Sequence, residues 1–137
     1  MADMLKIKTQ MDTPWAHFDI LYEPVIDDGP ANERSLVKAI DAVASDVAGF
    51  AQNRGGIVIL TDRHISKARA AIPMTLAISA INQKLIEEGL RFKLSLVVES
   101  GQIASSHHIA CALGFGAAAV YPLAVRMRAE ELYGDDA

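Results

Sequence analysis

Side chains capable of acid–base or ligand chemistry follow three apolar runs of this sequence. Asp62 and Arg63 come just after the first run, Glu99 and Ser100 end the second, and Tyr121 lies at the end of the third. In a parallel α/β sheet the carboxyl ends of the strands share one edge, and ligands bind at that edge. The spacing therefore predicts that these side chains gather into a polar cluster on an apolar scaffold.

Two adjacent histidines extend this cluster if the loop after the second run folds back towards it. Imidazole, carboxylate and hydroxyl groups can transfer protons or bind a metabolite. No nucleophile with an orienting base can be recognised from the spacing, so no residue is given a catalytic role. The candidate ligand-binding residues are Asp62, Arg63, Glu99, Ser100, His107, His108 and Tyr121.

Three interpretations of the cluster remain open. Asp62, Glu99 and one histidine could bind a metal ion, but adjacent histidines on a helix point to different faces and cannot easily ligate one ion together, so no metal is predicted. His107 or Glu99 could act as a general acid or base. The third interpretation, which we favour, is structural, with Asp62 paired to Arg63. Glu99 would then accept backbone N–H groups at the next helix start, and His107 would cap or pack.

Four apolar segments predict the strands that position these residues. Runs such as Leu94–Val98 show no polar alternation, which is typical of strands covered on both faces, as in a parallel sheet with crossover helices. The stretch 66–71 is predicted to be a loop or a frayed turn. The strands are predicted at His17–Glu23, Ile57–Leu60, Leu94–Val98 and Ala118–Pro122.

Apolar residues spaced three and four apart predict helices between these strands. A turn at Asp27–Pro30 precedes an amphipathic helix of about five turns that ends before Gly55. Pro73 suits the first position of the next helix, and Gly89 closes it. Two shorter helices are predicted at Ser105–Leu113 and Val125–Tyr133. The order βαβαβαβα predicts an α/β fold with a parallel four-stranded sheet.

A sheet whose strands are wound in one direction has all its helices on one side. Its other face would be exposed, although the strand residues look as apolar on that face as on the covered one. If several hundred Å² of apolar surface stayed exposed to water, the fold would lose about 10 kcal/mol of stabilising free energy, at roughly 25 cal/mol per Å². This loss is comparable to the stability of a whole domain. We therefore expect a half-barrel-like domain that is completed by a partner subunit, as in a homo-oligomer.

Length, charge and cysteine content narrow the class of protein. The 137 residues are predicted to form one domain, with residues 1–15 as a tail or an edge strand. A net charge of −4 without a basic cluster disfavours a nucleic-acid partner. No segment approaches the ~18 apolar residues of a membrane span, so no membrane partner is predicted. Cys111 is alone and expected to be buried, and a cytoplasmic location is predicted.

Six short motifs follow one another along the chain: Thr61–Arg63, Ala71–Met74, Gly89–Arg91, Leu96–Gly101, His107–Ala110 and Gly114–Pro122. Their types and their order resemble the motif series in the central domain of the large subunit of glutamate synthase. Several motifs in one order are far more specific than any one of them. The resemblance is clear from about Gly55 to Leu123, is weaker from Phe18 onward, and corresponds to the later half of that domain.

The resemblance implies a connecting role between two active sites. In that family the central domain joins a glutamine amidotransferase domain to a barrel that carries flavin mononucleotide and an iron–sulfur cluster, and it helps enclose a passage for ammonia. This chain has no cysteine cluster and no flavin phosphate loop, so no cofactor is predicted for it and catalysis by the chain alone is not expected. It departs from the family pattern at Thr61, Ala71, Ile81–Gln83 and Tyr121.

The expected function is a glutamate-synthase-related scaffold or assembly domain in glutamate biosynthesis, which supports the amidotransferase and flavin domains and is not itself catalytic. The alternative is a small metabolite- or metal-binding α/β enzyme that uses Asp62, Arg63, Glu99 and His107. Two origins stay open for the chain. It is either a stand-alone relative that assembles with itself or with other subunits of this type, or a fragment.

Overall fold

An open parallel sheet forms the centre of the structure, a computed structural model that describes residues 13–134. The strands of the described chain are β1 (Trp15–Asp19), β2 (Leu21–Tyr22), β3 (Gly56–Thr61), β4 (Ala70–Ala71), β5 (Leu94–Ser100) and β6 (Ala119–Pro122). The main sheet has the order β1-β3-β5-β6, and every neighbouring pair in it is parallel. The predicted α/β class and the parallel four-stranded sheet are therefore confirmed, and the sheet is not closed into a barrel.

Helices connect the parallel strands and pack in sequence order along the sheet. Their bounds are α1 (Gly29–Asn53), α2 (Met74–Glu87), α3 (Ser106–Gly114) and α4 (Leu123–Tyr133), with a short 3-10 helix at Arg91–Lys93. Helix α1 contacts β1 and α2, α2 contacts α3, and α3 contacts β6. This arrangement follows from right-handed crossovers between strands that succeed one another across the sheet.

Helix α1 begins earlier than the periodicity predicted. The Asp28 carboxylate accepts a hydrogen bond of 2.9 Å from the Ala31 N–H, and Pro30 occupies the first turn, where its missing N–H is not needed. Of the expected turn at Asp27–Pro30, Asp27 does lie in a turn, whereas Gly29 and Pro30 already belong to a 25-residue helix. The prediction of about five turns was too short because the first turns carry few apolar residues.

The predicted first strand is broken at Ile20. The Ile20 N–H donates to the Thr61 carbonyl, whereas the Ile20 carbonyl accepts from the Ile72 N–H, so the chain leaves the main sheet at this residue. The next two residues, in β2, pair with β4 in a small antiparallel sheet. The expected loop 66–71 thus ends in a strand. Of the expected tail or edge strand 1–15, residues 1–12 lie outside the described residues, and Trp15 opens β1 at the sheet edge.

The apolar core lies between the sheet and the first two helices. Alternate residues of the two central strands point into it and are fully buried, as are the apolar faces of α1 and α2. The residues at the centre of this core are Val47, Val58, Leu60, Ala77, Ile78, Ile81, Leu96 and Val98. Burial of this size dominates the stability of the fold, because each large aliphatic side chain contributes about 1.5–3 kcal/mol.

The other face of the sheet, called here the outer face, is not uniformly apolar. Asp19, Thr61, Glu99 and Tyr121 are direct register partners across the four strands and form a polar row on this face. The expectation that both faces are equally apolar is therefore wrong near the carboxyl ends of the strands. Strand β5 runs on to Ser100 rather than ending at Val98, so Glu99 lies within the sheet.

Arg91 fixes the loops at the amino end of the sheet. Its guanidinium donates to the Asn82 Oδ1 at 2.6 Å, to the Leu94 carbonyl at 3.0 Å and to the Gly116 carbonyl at 2.8 Å. Gly116 has a positive φ of 119°, and a Cβ there would lie 2.8 Å from the Asn82 side chain. The planar guanidinium thus joins α2, β5 and the turn before β6.

Candidate functional site

The strand-end residues separate into two hydrogen-bonded groups on opposite sides of the sheet edge. The first is centred on Asp62, which is 4% exposed. Its carboxylate accepts hydrogen bonds from the Ser100 hydroxyl at 2.6 Å, the Gly101 N–H at 2.9 Å and the Gln102 amide at 3.2 Å. Three donors satisfy this buried carboxylate, as burial of a charged group requires.

Gln102 connects the Asp62 group to helix α2. Helix α2 has no side-chain cap of its own, and the Gln102 Oε1 accepts the Met74 N–H at 3.0 Å in place of one. The Gln102 Nε2 also donates to the Ile72 carbonyl at 3.1 Å. The amide therefore links the end of β3 to the first turn of α2, which is a structural task.

The second group is centred on Glu99 in the polar row. The Glu99 carboxylate, whose side chain is 7% exposed, accepts from the Arg63 Nη2 at 2.5 Å and from the Arg63 Nε at 3.4 Å. The Thr61 hydroxyl donates to the same carboxylate at 2.7 Å. The Arg63 fork and the Thr61 hydroxyl together neutralise and orient this buried acid.

These contacts set the protonation states of the pair. Burial raises the pKa of Glu99, but the hydrogen bonds from Arg63 and Thr61, with the attraction of the Arg63 charge, outweigh burial and leave that pKa below its ordinary value. The hydrogen bond to Glu99 raises the pKa of the Arg63 guanidinium. Glu99 is therefore an ionised, paired carboxylate at neutral pH. A general acid needs the opposite shift, since it must hold its proton.

Tyr121 belongs to the Glu99 group, and the two histidines do not bond to it. Tyr121 lies next to Glu99 in the register, and the Arg126 guanidinium lies 5.8 Å from the centroid of its ring. His107 contacts the half-buried Cys111 at 3.5 Å between Nε2 and Sγ, and the His108 Nδ1 accepts the Ala104 N–H at 3.2 Å. The histidines thus bond within α3 and the loop before it.

Two of the pairings in the favoured structural interpretation were wrong. Arg63 pairs with Glu99 instead of Asp62, because residues on either side of the sheet edge alternate in direction. Glu99 accepts from side chains and not from a helix start. Cys111 is half-buried rather than buried. Across residues 13–134, no three His, Cys, Asp or Glu side chains are grouped so that they could hold a metal ion.

Sequence reasoning missed a third polar group next to the row. The Asp19 carboxylate contacts the His64 Nδ1 at 2.8 Å and the Arg69 Nη1 at 3.5 Å. These contacts hold the segment between β3 and β4 against β1. Gln102 was also missed, although its place two residues after Ser100 is a usable signal, because a residue just past a strand end can reach the neighbouring helix start.

The comparison with protein families shows which family the chain belongs to. The family model described as glutamate synthase central domain matches residues 1–137. The chain belongs to the glutamate synthase central domain family. Thr61, which departs from the serine in that family's motif, keeps a hydroxyl that donates to Glu99. The match also extends the resemblance beyond the Gly55–Leu123 range in which the motifs are clear.

Individual relatives are large glutamate synthases. A ferredoxin-dependent glutamate synthase of Cyanidium caldarium is 39% identical over 103 residues, which is 74% of this chain and 7% of that protein. A chloroplastic ferredoxin-dependent glutamate synthase of Oryza sativa subsp. japonica is 39% identical over 90 residues, 64% of the chain and 6% of that protein. The glutamate synthase [NADPH] large chain of Bacillus subtilis (strain 168) is 44% identical over 66 residues, 48% of the chain and 4% of that protein.

The domain therefore spans only a small part of the length of these relatives. None of its helices within the described range is long and apolar enough to cross a membrane. The established result is a glutamate-synthase-related α/β domain with a polar, internally bonded strand edge.

Proposed function

We propose that this chain is a non-catalytic scaffold domain of a glutamate-synthase-type assembly, supporting an amidotransferase domain and a flavin domain. The observation that carries the proposal is the saturation of the strand-end polar groups. The Asp62 and Glu99 carboxylates accept hydrogen bonds from donors within the fold. The Ser100 hydroxyl donates to Asp62, and the Thr61 hydroxyl donates to Glu99. A side chain that is engaged in this way stabilises the strand edge and is not presented to a substrate.

The alternative, a small metabolite- or metal-binding enzyme, draws less support from the same geometry. It requires Asp62, Arg63, Glu99 and His107 to converge on one ligand. Arg63 and Glu99 bond to each other, Asp62 bonds to Ser100 and Gly101, and His107 bonds to Cys111. The four side chains therefore belong to three separate networks within the described residues.

The assembly is proposed to form through contacts with copies of the chain or with other glutamate-synthase-type subunits. The outer face supports this part of the proposal, because Ile57 and Val97 are only partly buried there. A cytoplasmic location is also proposed, because Cys111 is the only cysteine in the sequence and leaves no intramolecular disulfide to form. No nucleic acid, membrane or cofactor partner is part of the proposal.

Activity assays on purified components test the scaffold role. We expect the chain alone to show no glutaminase activity and no flavin absorbance, and to increase glutamate formation when added to separately produced amidotransferase and flavin domains. The variant Glu99→Gln should support the same activity as the unaltered chain at a temperature where both are folded. Turnover by the chain alone that is lost in Glu99→Gln would contradict the proposal and favour the enzyme alternative.

A further inference from the structure

A groove of about 520 Å³ lies between α1 and the segment formed by β1 and β2. Its floor is apolar and includes Phe18, Leu21, Tyr22 and Val43. The volume falls within the range of small-molecule sites, which combine an apolar lining with a few polar groups. The groove is therefore large enough for a ligand of amino-acid size.

The strand segment runs antiparallel to α1 along this groove. The Phe18 and Phe50 rings meet edge to face at 6.3 Å, and the Ser35 hydroxyl donates to the Glu23 carbonyl at 2.6 Å. Glu23 is thereby fixed beside the early turns of α1. Lys38 lies one turn beyond Ser35, and Asp46 lies eight residues further on, roughly 12 Å along the helix at 1.5 Å per residue.

Three charged side chains that line the groove have no partner in the described part of the chain. Glu23, Lys38 and Asp46 make no ion pair and no side-chain hydrogen bond among the described residues, whereas Asp19 and Arg69, in the same wall, pair with each other. Glu23 and Lys38 lie at one end of the groove, and Asp46 lies towards the other. The unpaired charges are two carboxylates and one ammonium group.

We propose that this groove binds a cationic α-amino acid with a long side chain, such as arginine. The ligand carboxylate meets Lys38 and its α-ammonium group meets Glu23, while the side-chain cation reaches Asp46. The two positive groups and one negative group of such a molecule complement the unpaired charges of the groove. Tyr22 also lines the groove, and a guanidinium can stack on an aromatic ring of this kind.

This site is separate from the strand-end groups and goes beyond the scaffold role. Asp62, Glu99 and Ser100 do not line the groove. A basic amino acid bound there would join β1 and β2 to α1 and stabilise this side of the domain. The proposal therefore stands or fails independently of any association with other subunits.

Binding of L-arginine to the full 137-residue chain tests the proposal. Titrations followed by amide chemical shifts should perturb the α1 positions between Ser35 and Asp46. Norleucine, which lacks the side-chain cation, and agmatine, which lacks the carboxylate, should each bind less tightly. The variant Asp46→Asn should weaken arginine binding by about twofold to fivefold and leave norleucine binding unchanged, since exposed ion pairs contribute 0.2–1 kcal/mol.

Two further variants make the result decisive. Lys38→Met should weaken binding of arginine and norleucine but not of agmatine, because only the first two carry the carboxylate. Asp41→Asn, on the same helix but outside the groove, should leave all three affinities unchanged. Absence of arginine-induced shifts in α1, or an Asp46→Asn variant that still prefers arginine to norleucine to the same degree, would overturn the proposal.

Discussion

At the scale of single residues, the two strand-end carboxylates, Asp62 and Glu99, accept hydrogen bonds from donors within the fold. Their place in the sequence predicted that Asp62, Glu99 and Ser100 would lie at one sheet edge, and they do. The partners could not be predicted, because a register shift of one residue moves a side chain to the other face. Whether Arg63 pairs with Asp62 or with Glu99 thus depends on where β3 ends.

Replacing Asp62 with alanine tests the first of these groups. The variant leaves the buried Ser100 hydroxyl and the Gly101 N–H without their acceptor, and the Gln102 amide keeps only the Ile72 carbonyl. We expect the free energy of unfolding to fall by about 2–4 kcal/mol, measured by urea denaturation. Asp41→Ala, on the exposed surface of α1, is the matched control and should change stability by less than about 0.5 kcal/mol. Equal effects of the two substitutions would refute the role assigned to Asp62.

The pH dependence of stability tests the second group. Because the pKa of Glu99 lies below its ordinary value of 4.5, its ionised form adds stability that is fully present above pH 4.5 and is lost as the pH falls through the lowered pKa. Glu99→Gln should therefore cost about 1–3 kcal/mol at pH 7, and much less once the carboxylate of the unaltered chain is protonated. Unfolding curves at pH 7 and at a series of decreasing pH values below 4.5 measure the difference.

An exposed carboxylate provides the control for this pH experiment. Glu131 pairs with Arg128 on the surface of α4, with its side chain 68% exposed. Glu131→Gln should change the free energy of unfolding little at any of these pH values, because exposed pairs are screened by solvent. A stability loss in Glu99→Gln that does not diminish anywhere below pH 4.5 would show that the Glu99 charge is not what stabilises the fold.

At the scale of elements, periodicity predicted the helices and parallel strands, and it failed where a local hydrogen bond redirects the chain. The predicted strand His17–Glu23 is divided at Ile20, whose two backbone groups bond to different segments. The start of α1 depends on the Asp28 cap, which periodicity does not include. Arg91 and Gln102 bond to residues far from them in the sequence, and a hydrophobic pattern carries no signal for such bonds.

Two glycines on either side of the α1–β3 turn give an element-scale prediction. Gly56 has a φ of 116°, and a Cβ there would lie 2.1 Å from the Pro14 carbonyl oxygen, whereas Gly49 in α1 has open space around it. Gly56→Ala should destabilise the fold by about 2–4 kcal/mol, since both the conformation and the contact are unfavourable. Gly49→Ala should stabilise it by about 0.5–1 kcal/mol through helix propensity. Thermal unfolding of both variants checks the prediction, and a stable Gly56→Ala variant would contradict it.

At the scale of the whole molecule, the chain matches only a small part of much longer proteins. It covers 7% or less of the glutamate synthases to which it was compared, and its sheet stays open at both edges within the described residues. The ordered motifs predicted the family correctly. They could not reveal the groove beside α1, whose walls come from segments without a motif.

The mass of the chain in a mixture with purified amidotransferase and flavin domains tests the scaffold account most directly. Size-exclusion chromatography with light scattering should show one complex that contains all three components, and the destabilised Asp62→Ala variant should be lost from it at a lower temperature than Asp41→Ala. Three separate peaks with the masses of the individual components, at concentrations of about 10 μM or more, would contradict the account.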